Sequence, residues 1–171
     1  MLTQVVQDAL NEQINTEFAS SYSYLAMSAY CERQNFRGCA HWLRLQSQEE
    51  YAHGMKLYNF MTARNAKVVL KQISAPATDY ASIVDVFEKS LEQEMEVSAR
   101  LDALYELAFH QKNFAALVEL QWFITEQVEE EHTARDVLAK FRLVAQDPSA
   151  LLDLDRELGT RQGGVGEEVS E

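Results

Sequence analysis

The sequence contains little proline and glycine. Of its 171 residues, two are proline and six are glycine, and three of those glycines fall within the last nine residues. Both residue types interrupt helices and are common in turns, so their scarcity favours long helices over a sheet with many turns. The abundance of Ala, Leu, Glu and Gln also favours long helices. We therefore predict an all-α protein with a single domain.

Positive charge and long apolar runs are also scarce. Lys and Arg number 15 against 27 Asp and Glu, a formal net charge of −12, and an acidic surface repels a polyanion, which excludes nucleic acid as a partner. Neither a signal peptide nor a membrane span is expected. Cys31 and Cys39 are too few for a disulfide framework. We expect a cytoplasmic protein with cationic partners, no membrane partner and two structural or inert thiols.

Four long stretches carry apolar residues at helical spacing. They cover residues 3–33, 38–64, 82–110 and 113–145. Short connections join the first stretch to the second and the third to the fourth, so each pair is predicted to form an antiparallel hairpin. Between the hairpins run the seventeen residues 65–81, which reach about 55 Å when extended. A helix of this length spans about 42 Å, so we predict a four-helix bundle with one long crossover connection.

Two further segments follow the bundle. Asp147-Pro148 is typical of a helix start and predicts a short fifth helix over residues 148–158. The remaining residues, 160–171, are rich in Gly, Ser and Glu and are predicted to form a flexible tail. The folded domain would then comprise residues 1–159.

Polar side chains interrupt the apolar stripe of every long helix. At inward positions stand Glu17, Glu50, His53, Glu94, Gln127 and Glu130. An ionised carboxylate buried without a partner would take up a proton or leave the core, so several at one level predict bound cations. Two residues on an antiparallel hairpin face each other when the mean of their residue numbers falls at the turn. By this rule both hairpins place these residues at matching heights near mid-helix. The oxygen-rich set suits Fe, Mn or similar divalent ions.

The motifs around these residues resemble those of the ferritin superfamily, most closely the bacterial non-haem ferritins. They comprise Asn11-Glu12-Gln13, the spacing from Glu17 to Tyr24, Gln48-Glu49-Glu50 with His53, Glu94, and Gln121-Trp122 leading into Glu126-Gln127-Val128-Glu129-Glu130-Glu131. The resemblance covers nearly all of residues 1–159. It implies a ferritin-like bundle with an intra-subunit diiron centre.

The resemblance also implies a ligand set. The first iron would be held by Glu17, Glu50 and His53. The second would be held by Glu50 as a bridging ligand, Glu94 and Glu130, with Gln127 nearby. A third iron position is implied at Glu49, Glu126 and Glu129 beside Glu130, although an acidic run is also typical of a solvated helix face.

Tyr24 lies two turns beyond Glu17 on the same face, so the resemblance places it beside the centre. There it would hydrogen-bond a ligand or supply an electron; the alternative is a packed tyrosine with a satisfied hydroxyl. Haem is not expected, since Tyr51 stands where related haem proteins carry a methionine. Glu129-x-x-His132 also has the spacing of Glu50-x-x-His53, but it is interpreted as a surface decoy, a chance match on the exposed helix face, because His132 lies on the opposite side of the helix from Glu130. His41 and His110 are expected to be structural or exposed.

The expected function is iron storage with ferroxidase activity. Fe(II) would be oxidised to Fe(III) by O2 or H2O2, and ferric mineral would accumulate inside a homo-oligomeric cage, which the resemblance implies to have 24 subunits. Two alternatives stay open: a discrete diiron or dimanganese oxidase or peroxidase, and a metal-free structural bundle.

Overall fold

The computed structural model describes residues 2–163, which form five α-helices. The helices are α1 (Gln4–Arg33), α2 (Arg37–Ala63), α3 (Ile83–His110), α4 (Phe114–Val144) and α5 (Pro148–Leu158). Each begins and ends within one residue of its predicted boundary, so the all-α prediction with a fifth short helix is confirmed. The described residues contain no helix with both the length and the apolar character of a membrane span.

The four long helices form two antiparallel hairpins, α1 with α2 and α3 with α4, and α5 packs against α2 and α4. Their apolar core is divided into two clusters. One lies around Tyr24, Leu43 and Phe87, and the other around Leu10 and Leu57. The gap between the clusters is filled by the polar residues that interrupt the helical stripes, so the candidate site is a buried layer across the middle of the bundle.

The starts of α3 and α5 are stabilised by side-chain caps. Ser82 Oγ accepts a hydrogen bond from the Asp85 backbone N–H at 3.2 Å, and Asp85 Oδ2 accepts one from Ala81 N at 2.9 Å. Asp147 Oδ1 accepts from Ser149 N at 2.9 Å at the start of α5. Each cap satisfies backbone N–H groups that have no partner within the helix.

The crossover between α2 and α3 is fastened to α1 by two asparagine side chains. Asn11 Nδ2 donates to the Lys67 carbonyl at 2.9 Å and its Oδ1 accepts from Val69 N at 2.7 Å. Asn15 repeats the arrangement one helical turn later with Val69 O and Lys71 N. Four helical residues rise about 6 Å and two extended residues about 6.6 Å, so the spacings match and the crossover stays extended.

Asn11→Ala is expected to destabilise the fold by about 1–3 kcal/mol, because it removes a buried side chain and its two hydrogen bonds to the crossover backbone. Urea unfolding measures the loss, and faster hydrogen exchange at Val69 locates it. Asn59→Ala, at an exposed position of α2, serves as control and should change stability by less than about 0.5 kcal/mol. Equal effects of the two substitutions would contradict the fastening role.

Cys31 and Cys39 are buried free thiols in the cluster beside α5. Burial raises the pKa of Cys31 to about 12. Burial, together with a hydrogen bond to Asp155, raises the pKa of Cys39 well above its ordinary range. Because the thiolate is the reactive form, both cysteines behave as small core residues.

The chain beyond α5 turns back along α2. Arg161 contacts Glu49 and Gln46 there, so residues 160–163 of the predicted flexible tail are held against the bundle. Residues 164–171 of that tail lie outside the described residues.

Candidate metal centre

The polar layer collects the predicted site residues from all four long helices. Glu17 and Glu50 are each 1% exposed and Glu94 is fully buried. His53 and Gln127 are also buried, and Glu130 is half-buried. Helical periodicity positions them, since each occupies a core-facing place in its own helix.

Glu17, Glu50 and His53 form the tightest group. One ligand atom from each lies within 4.8 Å of the others, and His53 Nδ1 is 3.4 Å from Glu50 Oε2. Gln13 Nε2 donates to Glu17 Oε1 at 2.8 Å. Oε2 of Glu17 and Oε2 of Glu50 are buried, and neither has a hydrogen-bond partner within residues 2–163. Two such carboxylate oxygens beside an imidazole can coordinate a cation.

The electrostatics of the layer point the same way. Burial raises the pKa of Glu17, and it raises the pKa of Glu50 well above its usual range with further contributions from Glu94 and Glu17. Burial raises the pKa of Glu94 to about 7. These carboxylates hold protons more tightly than exposed ones, so a divalent cation that binds among them releases protons and relieves their mutual repulsion.

Glu94 is held by donors on both of its oxygens. Tyr24 donates a short hydrogen bond to Oε1, and Gln127 Nε2 donates to Oε2 at 3.1 Å. The Ser90 hydroxyl lies 3.0 Å from the Tyr24 oxygen and donates to it, because the single phenolic proton is directed at Glu94. Tyr24 is therefore a hydrogen-bond partner of a predicted ligand, one of the two roles expected beside the centre.

Glu130 completes the layer from α4. Its Oε2 accepts a hydrogen bond from Gln46 Nε2 at 2.9 Å. The ligand atoms of His53, Glu126 and Glu130 also lie within 4.8 Å of one another. The sequence places Gln46 on the inward stripe of α2, one turn before Glu50, but its contact with Glu130 was not predicted.

The predicted third iron position is divided in the structure. Glu126 lies with Glu130 and His53, whereas Glu49 forms an ion pair with Arg161 and Glu129 is exposed. Among residues 2–163, neither Glu49 nor Glu129 shares a group of three candidate ligand atoms with Glu126. The third position therefore stays a prediction, and one of its predicted ligands, Glu49, is paired with Arg161.

The remaining histidines lie away from the layer. His132 is 75% exposed and is 3.5 Å from Asp136, and His110 is exposed beside Glu106. His41 Nε2 is 2.9 Å from the backbone oxygen of Arg161. These placements agree with the surface decoy and the structural or exposed roles expected from the sequence.

Comparisons with known proteins agree with the fold. Residues 7–144 match the ferritin-like domain. The chain is 38% identical over 161 residues to the bacterial non-heme ferritin of Staphylococcus aureus strain MRSA252, covering 94% of this chain and 97% of that protein. It is 37% identical, with the same coverage, to that of Staphylococcus epidermidis.

The fold also superimposes on a solved structure. An open pore ferritin from the hyperthermophilic archaeon Archaeoglobus fulgidus matches with a TM-score of 0.94 and 40% identity, over 95% of this chain and all of that one. Similarity of this extent in sequence and topology has one explanation: the chain belongs to the ferritin family.

Proposed function

We propose that this protein stores iron and oxidises Fe(II) within its own four-helix bundle. The observation that carries the proposal is the pair of buried oxygens, Glu17 Oε2 and Glu50 Oε2, that lack hydrogen-bond partners beside His53. Membership of the ferritin family supports iron as the metal.

Two Fe(II) ions are the substrates of the proposed centre. Glu17, Glu50 and His53 hold the first ion, and Glu50, Glu94 and Glu130 hold the second, with Glu50 shared. Fe(II) displaces the protons that burial favours on these carboxylates, and their negative charge then stabilises Fe(III) relative to Fe(II). Each iron gives up one electron, and the two electrons with two protons reduce O2 to H2O2, or H2O2 to two waters.

Tyr24 and Gln127 act on this centre through Glu94. Burial and the nearby carboxylates of Glu94 and Glu50 raise the pKa of Tyr24 well above its usual range, so it stays a neutral donor to Glu94. The two donors fix the orientation of the Glu94 carboxylate. Tyr24 is thus proposed as a positioning residue, and Gln127 supplies an amide N–H to Glu94.

Storage requires that Fe(III) leaves the centre for an enclosed space. We propose that copies of this chain assemble into a closed cage, of 24 subunits as the family resemblance implies, in which ferric mineral accumulates. Size-exclusion chromatography tests this step, because a storage cage elutes as a very large particle. A species no larger than a dimer would instead indicate a discrete oxidase.

Stopped-flow oxidation tests the centre directly. Metal-free protein is loaded with increasing Fe(II) under nitrogen and mixed with O2, and the fast rise of ferric absorbance is plotted against iron added. The amplitude is expected to stop increasing at two Fe(II) per subunit. A fast phase without such a break, or no fast phase, would overturn the diiron centre.

A further inference from the structure

The guanidinium of Arg161 lies beside the proposed centre, although the residue follows the last helix. Its Nη2 contacts both oxygens of Glu49, at 3.1 and 2.8 Å. Its Nη1 donates a hydrogen bond to Gln46 Oε1. The guanidinium carbon is also 4.9 Å from the centre of the Trp42 ring, an ordinary cation–π distance.

Two hydrogen-bond contacts and one close backbone approach fix the main chain that leads to Arg161. The Cys39 backbone N–H donates to Asp155 Oδ1 at 2.8 Å, which fixes α5 against the start of α2. Gly38 lets the α5 backbone approach closely. His41 Nε2 then contacts the Arg161 carbonyl oxygen at 2.9 Å. A side chain that begins three residues after a docked helix, with its own carbonyl anchored, starts from a fixed position.

The ion pair engages the carboxylate that the third iron position would need. Arg161 and Glu49 have side chains only 26% and 24% exposed, so solvent screens their attraction less than it would a surface pair. Nη2 contacts both Glu49 oxygens and places a positive charge beside the carboxylate. That charge repels a metal ion, so iron must compete with Arg161 for Glu49.

The same guanidinium also acts on Glu130. Because Gln46 Oε1 accepts from Arg161, the amide must present its NH2 group to the opposite side, and Nε2 donates to Glu130 Oε2 at 2.9 Å. One arginine therefore fixes the orientation of an amide that positions a predicted iron ligand. Without Arg161 the Gln46 amide is free to rotate.

We propose that Arg161 is a tethered cation that occupies the third iron position and, through Gln46, positions Glu130 for the centre. In this state the subunit binds two metal ions, and the third position opens when the segment after α5 releases Glu49. The inference rests on the proposed function of the diiron centre and identifies an element that regulates it.

Zinc occupancy in crystals tests the proposal without any redox reaction. The whole protein, Arg161→Ala and the matched control Arg156→Ala are soaked with Zn²⁺, and anomalous scattering locates the ions. Arg156 is exposed on α5, and among the described residues its ion pair is with Asp153, so Arg156→Ala changes the net charge by the same amount without reaching the layer. Of these three proteins, only Arg161→Ala is expected to show zinc at Glu49.

Zinc at Glu49 in the unmodified protein, or its absence from Arg161→Ala, would overturn the proposal, as would an equal gain in Arg156→Ala. Arg161→Lys is the second variant. Lysine keeps the positive charge on a long side chain, but it offers one compact ammonium group in place of the two guanidinium nitrogens that contact Gln46 and Glu49. It should show intermediate occupancy. Loss of zinc from Glu17, Glu50 and His53 in every protein would instead overturn the diiron centre itself.

Discussion

Replacing Glu50 with alanine is expected to slow the fast oxidation of Fe(II) by about 100-fold or more, which corresponds to about 2.7 kcal/mol of barrier. Glu50 is the one carboxylate that both proposed iron positions share, and it lies 3.4 Å from His53. Its loss removes a ligand from both ions and the group that keeps them close. Stopped-flow ferric absorbance measures the rate.

Two further variants separate the causes of that loss. Glu50→Gln keeps the side-chain volume and removes the charge, so it should also be slow although it leaves no cavity. Glu96→Ala removes an exposed carboxylate that pairs with Arg100 on α3, and it should oxidise Fe(II) at the unmodified rate. Fast oxidation by either Glu50 variant would refute the bridging role.

Glu50→Gln should not destabilise the metal-free protein, although it slows the oxidation of Fe(II). Burial raises the pKa of Glu50 in the folded state, so its ionised form opposes folding, and this cost appears as the pH rises above the ordinary carboxyl pKa of 4.5. Metal-free Glu50→Gln is therefore expected to melt at the same temperature as the unmodified protein or higher at pH 7. Its melting temperature should no longer rise when Zn²⁺ is added.

The sequence predicts the buried polar layer because a straight helix is periodic. A residue number gives both the height and the face of a side chain, so Glu17, Glu94 and Glu130 are predicted to meet once the hairpins are recognised. The same reasoning predicts the length of the crossover, since length depends only on the residue count. The polar layer and the bundle topology are therefore properties that the pattern of residues determines.

Contacts made by irregular segments have no such period. Asn11 and Asn15 lie on a polar helix face, and nothing in the pattern shows that the crossover backbone is their partner. Arg161 follows Gly159 in a stretch whose composition is typical of a flexible tail, so its return to Glu49 depends on how α5 docks. The third iron position was predicted without that competing cation.

Gly38 is another residue whose role differs from the one its position indicates. It is the first residue of the second predicted helical stretch, directly after the connection, where a glycine could supply a left-handed turn. In that turn, however, Asn35 has the positive φ of 62°. Gly38 instead lies in the first turn of α2, beneath the backbone of α5. A Cβ added there would lie 1.6 Å from the carbonyl oxygen of Asp155.

Gly38→Ala is accordingly expected to detach α5 from the bundle. Alanine favours the helix by up to about 1 kcal/mol, but no side chain can move to relieve a clash between Cβ and backbone. If α5 shifts away, Leu154 and Leu158 lose their burial, at about 1.5–3 kcal/mol each. Tryptic cleavage at Arg156 should accelerate at least tenfold, because cleavage tracks the detached population.

Gly54→Ala is the matched control in the same helix. There the added Cβ meets the ring of Phe18 at 2.6 Å, and a half-buried side chain can move aside, so the cleavage rate should stay near that of the unmodified protein. Equal rates in the two variants would show that α5 docking does not depend on Gly38. If α5 does detach, Arg161 leaves Glu49 with it, and zinc should then occupy Glu49 in Gly38→Ala as in Arg161→Ala. The packing of one glycine would thus determine how many metal ions the subunit binds.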